Sequence, residues 1–460
     1  MLTWEKLLNP VRRKTLHESP EDSNTGAGRT ESERDYDRIL FATPTRRLAD
    51  KTQVYPMEEH DSVRTRLTHS HEVSNLARSI GIKLAFEHGE AVFGPDHEKL
   101  QAKRNIPALL AAVGLAHDLG NPPFGHQGEL AIQQWFLEKK HESFDKDFLE
   151  FDGNAQTFRL LTRLQLLNDK FGLNLTVSTL AALLKYPSVY GSKSKGGFKK
   201  HGVFQSEREI IQEVWQETGL SEGIRHPLAY IMEACDDIAY SIIDAEDTVK
   251  KGYASFYDLM DHLENNSDND KVVAEVVSYS KAKNHDFRSG DLSSRELNDI
   301  SMQMFRVKAI SSMVSAATDV FVSNIEKMMS GNLKPGFEII DNSTCSALCR
   351  ITKDFDRKHG FQHKDVLKLE LQGSNHIKSM MTMLWKAVSN EDGKDRPFER
   401  YVYGAISENY RRVYKTSSPL KDAHSNYTKA QLICDSISGM TESYLIKKHN
   451  EFKALENASQ

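Results

Sequence analysis

The sequence predicts an all-α, mainly helical protein with few short strands. Apolar residues recur at three- and four-residue spacing from about residue 35 to Glu90 and again from Leu109 to Phe136, the period of one buried helix face. Alternating apolar and polar runs of the kind that form strands are scarce. Compact turn signals close the helical stretches at Gly94-Pro95, at Gly120-Asn121-Pro122-Pro123 and at Tyr186-Pro187.

Taken in order, residues 1–29 read as a flexible arm, because Leu16 to Arg29 (LHESPEDSNTGAGR) is dominated by polar, turn-forming residues. Ordered structure is expected from Thr30, with Asp35 to Leu48 as the first helix. Residues 30–260 form the expected core, and 261–460 a helical region that packs on it and supplies oligomer contacts. Asn265 to Asp299 and Ser389 to Pro397 have the polar composition of surface insertions, and Leu333 to Ile340 (LKPGFEII) that of a short strand or turn. No repeat at the period of solenoid architectures is visible.

Composition narrows the class further. Of 460 residues, 60 are Lys or Arg and 65 Asp or Glu, a formal charge of −5, with 39% hydrophobic and 27% charged residues; this is not the balance of a disordered chain. The longest apolar run, Ile106 to Ala116, is well short of the roughly 20 residues of a membrane span. The amino terminus, MLTWEKLLNPVRRK, lacks the apolar segment of a secretory signal, so a cytoplasmic location is expected. Cys235, Cys345, Cys349 and Cys434 include no CxxC pair and read as buried thiols.

The chemistry concentrates where the apolar run ends. His117 and Asp118 follow PALLAAVGLA directly, an expensive place for a carboxylate unless it is paired, hydrogen-bonded or metal-bound. Standing alone, the pair would read as a helix-capping Asp and a satisfied core His. It continues, however, into LGNPPFGHQGE, where two glycines and two prolines force a turn and place His126 and Glu129 at i, i+3 on the next helix as an acid/base pair. Upstream, RTRLTHSHEV holds Arg64, Arg66, His69, His71 and Glu72; His69 and His71 are two apart, so only one can share a face with a metal. Downstream, in PLAYIMEACDDIAYSIIDAED, Asp236, Tyr240 and Asp244 fall at i, i+4 and i+8 as one stripe, which could equally be a solvated acidic face around a core tyrosine. Two imidazoles and two carboxylates (His69, His117, Asp118, Asp236) suit a mononuclear site; mixed nitrogen and oxygen ligands favour Mn, Fe, Co, Ni or Zn over Mg, although availability can overrule affinity. The segment Lys185 to Phe204, with five lysines and four aromatics, reads as a lysine loop near a phosphate site or, alternatively, as a single-strand-binding stretch.

The spaced H…HD…D pattern resembles that of the HD phosphohydrolase superfamily. The strings RTESERDYDRILFATPTRRLADKTQVYP, VRTRLTHSHEV, LAHDLGNPPFGHQGE, FDGNAQTFR, LLKYPS and MEACDDIAYSIIDAED are similar to bacterial deoxyguanosine triphosphate triphosphohydrolases and related dNTP triphosphohydrolases. The likeness is strong from about Thr30 to Lys250 and echoes in ISENYRRVY and DSISGMTESY. It implies a helical HD-domain fold and one divalent cation, Mn²⁺ or Mg²⁺ foremost, held by His69, His117, Asp118 and Asp236; Asp237 competes for the last place, but only Asp236 shares the stripe of Tyr240 and Asp244. It implies that His126 acts at the α-phosphate with Glu129 orienting it or sharing its proton, and that Arg66 neutralises a phosphate oxygen. By the same resemblance Gln53 and Val54 line the deoxyribose edge, Tyr240 packs under the sugar, Asp244 fixes the 3′-hydroxyl, and Lys185 and Tyr186 face the phosphate tail, with Arg306 a further candidate there. Asp152 stands in the family's acid-Gly-Asn-Ala-Gln string as the shorter acid. The implied reaction releases a deoxynucleoside and tripolyphosphate, with ribonucleotides excluded by a closed C2′ edge. The implied partners are a dNTP substrate, further copies of the chain (a hexamer among them) and a nucleotide or single-stranded DNA effector, with no membrane. A regulatory binding protein without turnover is the alternative, opposed by the intact ligand set with His126 and Glu129; a cyclic-nucleotide or alarmone hydrolase is opposed by KTQVYP and the Tyr240/Asp244 pair.

Overall fold

The Thr30 hydroxyl accepts the Glu33 N–H at 3.4 Å while the Glu33 carboxylate accepts the Thr30 N–H at 2.7 Å, and this reciprocal cap starts helix α1 (Glu31–Leu40). A computed structural model describes residues 1–18, 28–57, 62–139, 144–165, 169–191, 197–390, 396–416 and 426–458. The helix expected to run from Asp35 to Leu48 begins earlier and is split, because Pro44 does not continue a helix; a single turn restarts over Thr43–Arg47.

Helix α2 (Arg66–Glu87) and α1 both lie against α3 (Ala102–Ala116), in which every residue from Leu109 to Ala116 is buried. The apolar run is therefore the central helix, and it delivers His117 and Asp118 at its end. After the Gly120–Pro123 turn, α4 (Gly125–Glu138) leaves at an angle, and α5 (Pro227–Ile238) returns to pack on α2 and α3. A π-helical turn, Ala239–Ile243, joins α5 to α6 (Asp244–Lys250). The 36-residue α7 (Ser294–Met329) covers α5 and α6. Helix α8 (Ser346–Asp356) ends in a second π-helical turn, Arg357–Phe361, and α9 (Lys364–Ser389) lies along α4. Helices α10 (Asn426–Ser438) and α11 (Glu442–Ala458) close over α9. Among the described residues extended pairing is confined to isolated bridges, such as Arg12 with Thr176 and Thr52 with Thr65, and no helix is long and apolar enough to cross a membrane.

Two expectations are corrected. The first 18 residues are not a free arm: Trp4 and Leu7 are buried, Trp4 Nε1 donates to the Val92 carbonyl at 2.7 Å, and Arg12 pairs with buried Asp35 at 2.7 Å. Residues 19–27 of that arm lie outside the described residues, as do 192–196 of the lysine-rich stretch and 391–395 of the Ser389 to Pro397 segment. Asn265 to Asp299 is not an insertion: it holds the helix Lys271–Phe287, whose Val273, Val276 and Val277 are buried against α7, an apolar stripe hidden among polar neighbours. Of the strand or turn expected over Leu333 to Ile340, residues 333–340 form the turn.

Candidate active site

The amino-terminal end of α2, the carboxyl end of α3 and the carboxyl end of α5 meet at one point. His69 Nε2 lies 3.2 Å from Asp236 Oδ1, and His117 Nε2 lies 3.5 Å from the same oxygen. The ligating atoms of His69, His117 and Asp236 all fall within 4.8 Å of one another. His117 is oriented by its other nitrogen, whose N–H donates to the Gly114 carbonyl at 2.7 Å and turns Nε2 toward the cluster. Burial opposes a charge on His117, yet the carboxylates of Asp118 and Asp236 outweigh it and raise its proton affinity well above that of an ordinary imidazole. Against the same cost of burial, the adjoining imidazoles of His117 and His69 hold Asp236 well below the usual carboxylate range. The site is thus built to keep a cation among anions.

Asp118 stands beside this trio. Its Oδ2 is 3.4 Å from His117 Nε2 and paired with Arg66, and its Oδ1 accepts the Asn121 amide at 2.7 Å. Arg66 opens α2 and also donates from Nε to the Thr52 carbonyl at 3.0 Å. Asp237 does not join: it pairs with Lys353 at 2.6 Å. His71, as its spacing requires, faces outward and is exposed.

Beside the cluster lies a cavity of about 510 Å³, lined by Gln53, Val54, Arg66, His117, Asp118 and His126 with Glu129, Lys185, Asp236 and Tyr240. A larger cavity, about 1290 Å³, lies at the amino-terminal segment and holds none of these residues. Phe124 (φ +63°) and Gly125 (φ +52°) adopt left-handed backbone, so the chain turns sharply enough to put His126 on the first turn of α4 with its ring 70% exposed to the cavity. Glu129 Oε2 is 3.1 Å from His126 Nδ1, and its Oε1 accepts the Gly153 N–H at 2.6 Å. The hydrogen bond that His126 donates to Glu129 raises its proton affinity above the ordinary value, partly offset by burial. Asp152 caps the helix Gly153–Arg159 through the Asn154 N–H at 2.9 Å and holds Lys200 at 2.5 Å.

The remaining predicted residues divide. Gln53 presents a buried Oε1 with no hydrogen-bond partner among the described residues, and Tyr240, 37% exposed, has its ring 5.7 Å from that of Phe361. Lys185 reaches the cavity, but its ammonium is 3.2 Å from Glu233. Tyr186, Asp244 and Arg306 are not among the lining residues. Tyr186 packs edge-on against Phe198, and Arg306 is engaged by Glu246 at 2.8 Å. Asp244 leaves the expected stripe beyond the π-helical turn Ala239–Ile243, whose wider turn departs from the 3.6-residue period. Asp244 is buried with both oxygens unpartnered among the described residues, and burial, then the charge of Asp247, pushes its carboxyl well above the ordinary range.

An HD domain matches residues 66–183. The chain is 33% identical to the deoxyguanosinetriphosphate triphosphohydrolase-like protein of Listeria monocytogenes, with 96% of this chain and 97% of that protein covered. It is 30% identical to the protein of the same description in Pseudomonas aeruginosa over the whole of both chains, and 30% identical to the deoxyguanosinetriphosphate triphosphohydrolase of Yersinia pestis, with 92% and 94% covered. The chain belongs to the HD-superfamily deoxyguanosinetriphosphate triphosphohydrolase family. As a member it is a phosphohydrolase, and the HD domain implies a divalent cation.

The residues present fit that cation. His117 Nε2 is buried without a hydrogen-bond partner among the described residues while its Nδ1 proton is committed to a carbonyl, the arrangement that leaves a lone pair for a metal. Sequence reading did not single out Asn121, Asn154, Phe361, Gln362, Val366 or Glu370, which also line this family member's cavity. Lys200, also in the lining, was signalled only by its lysine-rich string. Phe361 to Glu370 come from the α8–α9 junction, where no local motif marks them.

Proposed function

We propose that this protein is a metal-dependent dNTP triphosphohydrolase, which hydrolyses dGTP and other dNTPs at the α-phosphate to a deoxynucleoside and tripolyphosphate. The observation that carries this reading is the opening of the His69–His117–Asp236 cluster, through His117 and Asp236, and of the His126–Glu129 pair into one cavity that Arg66, Lys185 and Lys200 also line. Such a concentration of cations matches a strongly anionic triphosphate.

His69, His117, Asp118 and Asp236 would hold one divalent cation, Mn²⁺ or Mg²⁺ foremost, with Fe, Co, Ni and Zn also suited to the ligand set. When bound, it supplies Lewis-acid polarisation of a phosphate oxygen and neutralises its charge. Arg66, already beside Asp118, takes a second phosphate oxygen, and Lys185 and Lys200 accompany the phosphate tail. Water adds to the α-phosphorus and gives up a proton to solvent, the bond from phosphorus to the 5′-oxygen breaks, and that oxygen takes the proton carried by His126, which solvent then restores; Glu129 keeps the imidazole oriented and protonated. The free Oε1 of Gln53 suits a sugar hydroxyl, and Gln53, Val54 and Tyr240 close on the C2′ edge. On this reading the enzyme is cytoplasmic and acts as a homo-oligomer, a hexamer in the first instance. A nucleotide or single-stranded DNA effector would show as rates that change when dNTPs are mixed or DNA is added.

The test is chromatographic separation of products after incubation with each dNTP, singly and mixed, with Mn²⁺ or Mg²⁺, beside a His126→Ala variant. Deoxynucleoside and tripolyphosphate are expected, with the variant slower by roughly 10²- to 10⁴-fold. Release of nucleoside mono- or diphosphate would place the attack at another phosphorus and sink the proposal.

A further inference from the structure

The sharp turn that carries His126 is held from the far end of the chain. Phe124, at φ +63°, is a bulky residue in left-handed backbone, a conformation that disfavours L side chains and persists where neighbours over-determine it. Its N–H donates to Glu442 Oε1 at 2.9 Å. The same oxygen accepts the Thr52 N–H at 2.7 Å, and Glu442 Oε2 accepts the Thr52 hydroxyl at 2.6 Å. Glu442 is the first residue of α11, only 2% exposed, and does not line the cavity. Lys51 adds a second tie, its ammonium donating to the Asn121 carbonyl at 2.6 Å and to the carbonyl of Ser438, the last residue of α10, at 2.7 Å. The Thr52 carbonyl in turn accepts from Arg66, whose guanidinium reaches Asp118.

The turn between α10 and α11 thus grips two separate walls of the cavity: the segment bearing Gln53 and Val54, and the turn bearing His126. We propose that Glu442 is a positioning residue, which sets the spacing between the sugar-facing edge and the His126–Glu129 pair. Its kinetic consequence rests on the triphosphohydrolase reading; its structural consequence does not. A buried carboxylate is well chosen for this place, because it accepts from several donors at once and sits at a helix amino terminus. A glutamine can keep all three bonds, with its oxygen facing the two N–H groups and its amide donating to the Thr52 hydroxyl. An alanine keeps none.

The experiment compares the full-length parent, Glu442→Gln and Glu442→Ala, each with Mn²⁺. A displacement of about 1 Å in a catalytic constellation can cost on the order of 100-fold, so kcat for dGTP should fall at least about 10-fold in Glu442→Ala and stay within about 3-fold of the parent in Glu442→Gln. Mn²⁺ affinity should be unchanged in both, because His69, His117 and Asp236 stand on α2, α3 and α5. Amide hydrogen exchange should quicken at Thr52–Val54 and Phe124–Gln127 in Glu442→Ala alone. A role in general stability would instead weaken Mn²⁺ binding and quicken exchange across all helices, and would overturn the proposal; so would a Glu442→Ala protein with kcat within about 2-fold of the parent, or a Glu442→Gln protein as slow as Glu442→Ala. If the parent hydrolyses no dNTP, the triphosphohydrolase reading falls and the exchange arm decides alone, with equal exchange of the two segments in parent and Glu442→Ala counting against Glu442.

Discussion

At His126 a single carboxylate decides in which form the imidazole faces the cavity. Glu129 raises its proton affinity by hydrogen bond and charge, so the protonated form extends to higher pH than for a free histidine. If His126 is the proton donor of the proposed reaction, it is active below its pKa and inactive above it, and the basic limb of the pH–rate profile should report this group. Replacing Glu129 by Gln removes the charge, lowers that pKa and should move the basic limb of kcat to lower pH, with a lower plateau. An unmoved limb would assign it to another group. These two residues were readable in the sequence because i, i+3 spacing after a forced turn guarantees a shared helix face. Arg306 stands outside the cavity lining for the opposite reason: a cation's partner is set by tertiary packing, and a buried Glu246 lies within its reach.

Elements position the ligands through close backbone approach, and Gly120 shows how closely. Its N–H donates to the Thr157 hydroxyl at 2.8 Å, and a Cβ built on it would lie 2.1 Å from the Thr157 nitrogen and 2.5 Å from the Gln156 carbonyl carbon. The turn that follows His117 and Asp118 is thereby strapped to the helix Gly153–Arg159, which also supplies the N–H that Glu129 accepts. Gly120→Ala must push these backbones apart. Overpacking of this kind costs about 1–3 kcal/mol or more, so a melting temperature lower by several degrees is expected, together with weaker Mn²⁺ binding. A thermal melt indistinguishable from the parent's would mean that the turn is freer than its contacts imply. The sequence marked this turn, since Gly and Pro announce a change of direction, but not what it touches. The π-helical turn at Ala239–Ile243 had no such mark. A regular 3.6-residue period placed Asp244 on one stripe with Tyr240 along the cavity, whereas beyond the wider π-helical turn Asp244 is buried.

Over the whole molecule, one apolar cluster runs from Trp4 to Phe452, so the ends of the chain belong to the body that holds the site. Polar, turn-forming residues from Leu16 to Arg29 gave the expectation of an arm, and the four-residue helix Trp4–Leu7 is too short for a period to show, yet it inserts a ring and a side chain into the core. The Trp4 ring meets Phe93 edge-on with centroids 4.8 Å apart, and its Nε1 is satisfied by the Val92 carbonyl. Truncating a buried Trp leaves a large void and an unpaired carbonyl, a loss of about 3–5 kcal/mol. Trp4→Ala, or removal of residues 1–17, should therefore lower the unfolding midpoint in denaturant markedly. The His69–His117–Asp236 cluster, which the amino-terminal segment does not touch, should still bind Mn²⁺ below that midpoint. Trp4→Ala with an unchanged midpoint would return the segment to the status of an arm. If Mn²⁺ binding were lost while the fold persisted, the segment would be coupled to the site through α2 and α3, against which the residues around Val92 and Phe93 are packed.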